Sequence, residues 1–267
     1  MGALVVAIAL ALAFDLSNGF HDSSNSVAAL VATRAARPAA AVVLAGTFHV
    51  LGPLLGGEAV ADTVGSVVQL GDRTVAAVGA ALTGALVWNL LTWWRGLPSS
   101  SSHALVGALV GAALVTRGAT SVSWGGFDGG RPAGVLGVAV SLAVSPALGA
   151  TAGWVGSRWT RRALRRATRR VAGPVRRAEW AGAALLAFAH GSNDAQKTMG
   201  VVTLLLVADG RLDVFAVPLW VKLAAAASLT VGTSFGGWGI VRTGGGGIYR
   251  LRPGDGLGSQ GGAAGGI

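Results

Sequence analysis

The sequence predicts an all-α polytopic membrane protein, built from inverted repeats with broken helices and a polar helical hairpin. Three observations lead there. Of 267 residues, 52% are hydrophobic and 12% are charged, with a mean hydropathy of +0.60; soluble domains carry about 25% charged residues. The apolar residues gather into segments of membrane-spanning length. Two of those segments are interrupted by matching polar motifs.

A span needs about 20 largely apolar residues. In chain order the candidates are 3–33 (interrupted), 38–56, 74–94, 98–115, 134–154, 180–207 (interrupted) and 214–241. The first reads as a span rather than a cleaved leader, because no basic residue precedes it and further spans follow. Trp93, Trp94, Trp154, Trp180 and Trp238 fall at or near the expected ends, where interfacial aromatics belong. Glycine is abundant, 43 residues, which suits helices packed closely in lipid. In the fourth segment, Gly107-x-x-x-Gly111 is expected to admit a close neighbour.

Charge organises the chain. The net charge is +10, and nine arginines fall between Arg158 and Arg177. The remaining basic residues sit singly beside apolar runs, as in cytoplasmic loops, so nucleic acid is not the expected partner. Arg34, Arg37, Arg95, Arg242, Arg250 and Arg252 share one side with the arginine-rich stretch. Glu58, Asp62, Asp72, Asp128, Asp209 and Asp213 fall on the other. The N-terminus is then expected outside the cell membrane and the arginine-rich loop in the cytoplasm. Residues 1–156 form a first repeat, 157–179 the loop and 180–267 a second repeat. The chain has no cysteine, which excludes disulfides and Cys-based metal sites.

The polar interruptions carry the chemistry. The first runs from Asp15 to Ser26 and the second from His190 to Thr198. With Gly19 set on Gly191, Asp22 falls on Asp194, Asn25 on Lys197 and Ser26 on Thr198. Five expected crossings separate the two starts, and an odd number inverts the second copy. Inverted repeats of this kind are a hallmark of secondary transporters. An aspartate at the centre of a span costs about 2.5–3.5 kcal/mol, so Asp15, Asp22 and Asp194 need compensation and mark a site. Pro98 and the serines 99 to 102, followed by His103, open the fourth segment. A serine-capped helix N-terminus with further hydroxyls is a recipe for binding an oxyanion. Aspartates supply oxygen ligands for sodium or take up protons. An anion near them then binds well only when coupling cations are present.

These segments resemble a known family. Asn18-Gly-Phe-His-Asp-Ser-Ser-Asn-Ser-Val-Ala28, Pro98 to Gly107 and His190-Gly-Ser-Asn-Asp-Ala-Gln-Lys-Thr-Met-Gly200 are similar to the signatures of the inorganic phosphate transporter (PiT) family. Gly236-Gly-Trp238 and Tyr249 to Gly256 look like its later segments. The resemblance implies symport of inorganic phosphate with sodium or protons as the coupling ion, without a cofactor. It implies ion ligands at Asn18, Asp22, Asn25, Ser26 and Asp194, with sodium at Asp22 and Asp194. It implies phosphate ligands at Ser100, Ser101, Ser102, His103, Asn193, Lys197 and Thr198, the serines at the tip of the hairpin. The bilayer and a second copy of the chain are the further partners expected. The family carries a second Ser/Thr-Thr-His hairpin. Pro98 lies 76 residues after Asp22, and the same offset from Asp194 reaches position 270, beyond Ile267. The second repeat is therefore expected to be incomplete in this chain.

Two other readings remain open at this level. His21, Asp22, His103, His190 and Asp194 could ligate a divalent metal, alone or as a metal–phosphate complex. An intramembrane hydrolase built on Ser102, His103 and Asp22 is disfavoured, because adjacent residues on a helix point about 100° apart. His49 is expected as a buried helix contact, and Lys222 as a lysine snorkelling to the interface.

Overall fold

The structure is a computed structural model that describes residues 1–68, 74–97, 99–128, 131–166 and 171–235, the side chains of 22–26, 128, 131 and 132 apart. Pro98, Asp72, Arg169, Arg170 and the segments around Trp238 and Tyr249 lie outside the described residues. The chain forms α1 (Gly2–Ala32), α2 (Pro38–Leu55), α3 (Ala59–Ser66), α4 (Thr74–Trp94), α5 (Ser101–Arg117), α6 (Gly134–Ala163), α7 (Ala172–Ala208) and α8 (Leu219–Phe235). A single 3-10 turn at Ala119–Ser121 and a two-residue antiparallel hairpin, β1 (Phe127–Asp128) with β2 (Arg131–Pro132), join α5 to α6. Helices match the expected segments closely. Four of them, at Gly2–His21, Pro38–Leu55, Thr74–Trp94 and Gly134–Ala163, are long and apolar enough to cross a membrane.

Local chemistry sets the boundaries. Pro38 opens α2 at a position where its missing N–H is not needed. Ser100 caps α5 by accepting the His103 backbone N–H at 3.3 Å. Gly118, with φ of 80°, ends α5 in a conformation that disfavours other residues. The short α3 was not foreseen, because an eight-residue helix with one acidic residue has no span-like signature.

The helices expected to be broken are continuous. α1 runs for 31 residues and α7 for 37 without interruption. Neither polar stretch contains proline, the residue that removes a ladder hydrogen bond, and one glycine costs only about 1 kcal/mol. Side chains at helical spacing take the polar contacts instead. Ser17 Oγ donates to Phe14 O at 2.6 Å, and Asp194 pairs with Lys197 one turn on. The arginine-rich stretch is also less of a loop than expected. α6 continues to Ala163 and α7 begins at Ala172, so most of its described arginines sit on helix ends.

Four helices form the centre: α1 packs on α8 and α7, and α2 packs on α7 and α8. The two closest crossings are made through glycine. At the α1–α8 crossing, a Cβ on Gly19 would lie 2.9 Å from Gly232 Cα. At the α2–α7 crossing, a Cβ on Gly191 would lie 2.6 Å from His49 Cα, and one on Gly52 would lie 2.6 Å from Phe188 O. Each helix of the N-terminal pair therefore meets one of the C-terminal pair at backbone contact. Gly107 and Gly111 do not serve this purpose, since a Cβ at either would meet nothing within 4 Å. α4 and α5 form an antiparallel hairpin, with Thr92 and Ser99 hydroxyls hydrogen-bonded at 2.9 Å across its tip. Leu82, Leu105, Leu109, Met199, Leu205 and Leu229 fill the main core. α6 is largely exposed, with 6% of its apolar window buried, and touches the core through Val135 and Val138.

Adding a methyl at Gly191 forces α2 and α7 apart. Gly191→Ala is expected to lower the thermal unfolding midpoint in detergent by the equivalent of about 1–3 kcal/mol, while Gly107→Ala leaves it unchanged or raises it slightly. Equal midpoints for the two variants would refute the crossing.

Candidate functional site

The site is organised by one buried lysine. Lys197, 4% exposed, lies near the middle of α7. Its Nζ sits 2.7 Å from Asp194 Oδ1 and donates to Ser101 Oγ at 2.8 Å and Ser102 Oγ at 3.2 Å. The i,i+3 spacing puts Asp194 and Lys197 on one face of α7. The capped first turn of α5 presents the two serines to that face. An ammonium ion taken into the interior keeps its charge only if it is paired and its protons are used; here one carboxylate and two hydroxyls do so.

The network continues away from α5. His190 Nε2 lies 3.0 Å from Asp194 Oδ2. The His190 and His49 rings are 5.3 Å apart between centroids, and His49 Nδ1 is hydrogen-bonded to Thr233 Oγ1 at 2.9 Å. A polar line thus runs from α8 through α2 and α7 to the tip of the α4–α5 hairpin. Beside it opens a cavity of about 560 Å³, lined by Thr63, Ser102, Ser141, Ser145, Asn193 and Lys197 among others. Its polar lining is hydroxyl, amide and ammonium; the Ser102 hydroxyl, which accepts from Lys197, keeps its own proton to donate, whereas Thr63 and Ser145 donate to Ala59 O and Ser141 O.

The expected residues are only partly brought together. Ser101, Ser102, Asn193, Asp194 and Lys197 converge on the cavity or its wall. Asn18 on α1 and Thr198 on α7 are buried, each 1% exposed. Ser100 and His103 do not join the cluster: both are exposed, and Ser100 is spent on capping. Asp22, Asn25 and Ser26 lie on α1, and their side chains are outside the described set. His49 is buried as expected, but it hydrogen-bonds Thr233 rather than serving packing alone. Lys222 pairs with Glu58 instead of snorkelling to the interface. Sequence reading missed Gln196, which donates to Gly56 O at 3.4 Å and accepts from Val60 N at 2.9 Å, tying α3 to α7. No periodic signal marks such a long-range pairing. Among the described residues, no group of three or more His, Cys, Asp or Glu side chains is disposed to hold a metal ion.

A conserved-family model described as the phosphate transporter family matches residues 18–267. The chain belongs to the phosphate transporter family. Members of the family similar to it include a "Probable low-affinity inorganic phosphate transporter" of Rhizobium meliloti (strain 1021), 41% identical over 252 residues, covering 94% of this chain and 73% of that protein. A protein of the same description from Mycobacterium bovis is 38% identical over 259 residues, and the match spans 96% of this chain but only 61% of the relative's length. The low-affinity inorganic phosphate transporter PitA of Escherichia coli (strain K12) is 36% identical over 229 residues, covering 76% of this chain and 46% of PitA. Among solved structures, "The sodium-dependent phosphate transporter" shares the fold, with a TM-score of 0.86 at 20% identity, over 99% of this chain and 83% of that one. Relatives named as transporters make this chain a transporter rather than an enzyme.

Removing one partner of a buried pair strands the other charge. Lys197→Met is expected to destabilise the protein by about 3–5 kcal/mol, and Asp194→Asn combined with Lys197→Met by clearly less. Thermal unfolding of the two purified variants checks this; additive losses would show that the pair is not coupled.

Proposed function

We propose that this chain carries inorganic phosphate across the cell membrane together with sodium or protons, by alternating access. The observation that carries the reading is the Lys197 ammonium, shared between Asp194 and two serine hydroxyls at the wall of a polar cavity. Ser101, Ser102, Asn193 and Lys197 bind the phosphate oxygens, and the α5 N-terminus adds its positive dipole end. Ser100, His103 and Thr198 flank this group. Asn18, Asp22, Asn25 and Ser26 on α1 bind the coupling cation, and Asp194 balances the charge of Lys197. No cofactor takes part.

Several findings support this. Relatives at 38–41% identity bear the name of low-affinity inorganic phosphate transporters, and the structural neighbour is titled as sodium-dependent. The site has one lysine against one aspartate, so a phosphate anion entering it adds uncompensated negative charge. Buried unpaired charge is strongly disfavoured in lipid, and a cotransported cation removes it. Reciprocal glycine crossings, α1 with α8 and α7 with α2, are what a two-fold related pair of repeats requires. Residues 1–156 form the first repeat, 157–179 the cytoplasmic arginine-rich connection and 180–267 the second. Alternating access then rocks one repeat against the other. Among the described residues, no cluster of three or more His, Asp or Glu side chains favours transport of a divalent metal or a metal–phosphate complex. A second copy of the chain and the bilayer are the remaining partners.

Radiolabelled phosphate uptake in cells lacking their own phosphate transporters tests the reading. Uptake is expected to require a sodium or proton gradient and to be lost in Asp22→Asn at equal membrane expression. Ser102→Ala should raise the half-saturating phosphate concentration about tenfold, the worth of one hydrogen bond to a charged ligand. Uptake that persists with both gradients collapsed would overturn symport.

A further inference from the structure

The network around Lys197 does not use a second cavity, at the helix ends. A space of about 490 Å³ opens where the ends of α1 and α6 meet the first turns of α7, lined by Thr33, Arg34, Leu164, Val175, Arg176 and Glu179 among others. That volume falls within the range of small-ligand sites. Glu179 on its wall is 2% exposed. Its Oε2 accepts from Thr33 Oγ1 at 3.4 Å, while Oε1 is buried without a partner. Among the described residues, neither Arg34 nor Arg176 forms an ion pair with it. Native interiors satisfy buried polar groups almost without exception. An orphaned carboxylate oxygen at the wall of a cavity therefore indicates a ligand that donates to it.

The rest of the lining says what kind of ligand. α7 begins here with neither a side-chain cap nor an acidic residue in its first turn, and its first residues, Ala172 and Gly173, line the cavity. An uncapped helix N-terminus beside Arg34 and Arg176 is a place for a phosphate group. Arg37 lines an adjoining groove that shares both arginines. Two arginines against one carboxylate leave one positive charge in the cavity, which the single negative charge of a phosphodiester balances. Leu164, Val171 and Val175 add apolar walls, of no use to free phosphate but suited to the glycerol and acyl carbons of a lipid. The surroundings are those of a membrane surface. The span-length helices α2 and α6 have ends here, and Trp180 Nε1 donates to Ala35 O at 3.1 Å, as an interfacial tryptophan does. Glu179 then selects the head group: its free oxygen needs a donor, and its charge repels a second anionic group. Neutral hydroxyls meet both conditions, whereas a zwitterionic ammonium head group leaves the arginine charge unbalanced.

We propose that this cavity binds an anionic phospholipid with a hydroxyl-bearing head group, such as phosphatidylglycerol. The phosphodiester lies between Arg34, Arg176 and the α7 N-terminus, and a head-group hydroxyl donates to Glu179 Oε1. The site is separate from the cavity beside Lys197 and does not depend on the symport reading. A lipid bound there joins the turn between α1 and α2 to the start of α7, fastening the two at the membrane surface.

The test uses the purified full chain, delipidated in a neutral detergent and titrated with dioctanoyl phosphatidylglycerol. The readouts are the thermal midpoint and the lipid retained in native mass spectrometry. A saturable rise in midpoint with one lipid retained is expected in the wild type. Arg34→Gln and Arg176→Gln, both at exposed positions, should each weaken binding about tenfold with little change in the lipid-free midpoint. Arg158→Gln, on α6 outside this cavity, should leave binding unchanged. Dioctanoyl phosphatidylserine, whose carboxylate would face Glu179, should bind about tenfold more weakly than phosphatidylglycerol, and Glu179→Gln should narrow that gap. Equal losses in Arg158→Gln and Arg176→Gln would overturn the proposal, because they would show only a general attraction of basic residues for anionic lipid. Glycerophosphoglycerol or inorganic phosphate stabilising the protein as well as the lipid would also overturn it, by making the ligand a free phosphate compound. Equal binding of the two lipids by the wild type would remove the role given to Glu179, and the proposal with it.

Discussion

Backbone contact between helices is the constraint on which the molecule depends. Gly19 with Gly232, and Gly191 with Gly52 and the backbone of His49, bring α1 onto α8 and α7 onto α2 at distances that no larger residue permits. In lipid there is no hydrophobic drive between helices, so close van der Waals approach and interhelical polar contacts carry association. Those crossings also bring His49 to Thr233 and His190. The polar line and the tight packing are therefore two results of one arrangement. Gly19 and Gly191 sit inside the very motifs that carry the polar residues, which binds the chemistry to the fold.

Lys197 then sets the electrostatics of the interior. It is a cation that cannot leave, held among a carboxylate and two hydroxyls. In the repeat alignment its counterpart is Asn25, which is neutral. On the proposed two-repeat reading, the halves differ by one formal charge at these matched positions. Under the symport proposal, such an asymmetry would let one half hold a fixed counter-charge while the other exchanges an ion with solvent. It also means that the two aspartates aligned by the repeat need not do the same job.

Much of the fold was legible because the bilayer imposes a length rule that sequence obeys. Residues 38–56 and 74–94 match α2 and α4 to within a residue, and serine capping marked the start of α5. α3 was invisible, being too short and too polar to register as a span. The breaks expected in α1 and α7 did not appear, because a cluster of polar residues was read as a break when only proline or a lost ladder bond makes one. The site was half legible. Asp194 and Lys197 announced themselves as charges in an apolar setting, and the serines as an excess over what capping needs. Asn18, Thr198 and Asp15 could be placed in the interior, but what each meets there depends on packing from other helices. The membership of His49 and Thr233 depends on a crossing between helices far apart in sequence, which no local pattern encodes.

The unbroken course of α1 and α7 has a chemical cost and a mechanical benefit. In an intact helix every interior carbonyl is already engaged by an amide four residues on, which leaves each oxygen one lone pair for a further partner, as Phe14 O has for Ser17. Most of the polar groups free to turn toward a ligand are then side chains, and Asp, Asn, Ser and Thr crowd along both helices. Coordination made of side chains alone is held in place by rotamers rather than by the course of the main chain. On the proposed transport reading, the cargo is gripped and released by side-chain rotation while the two long helices act as rigid levers.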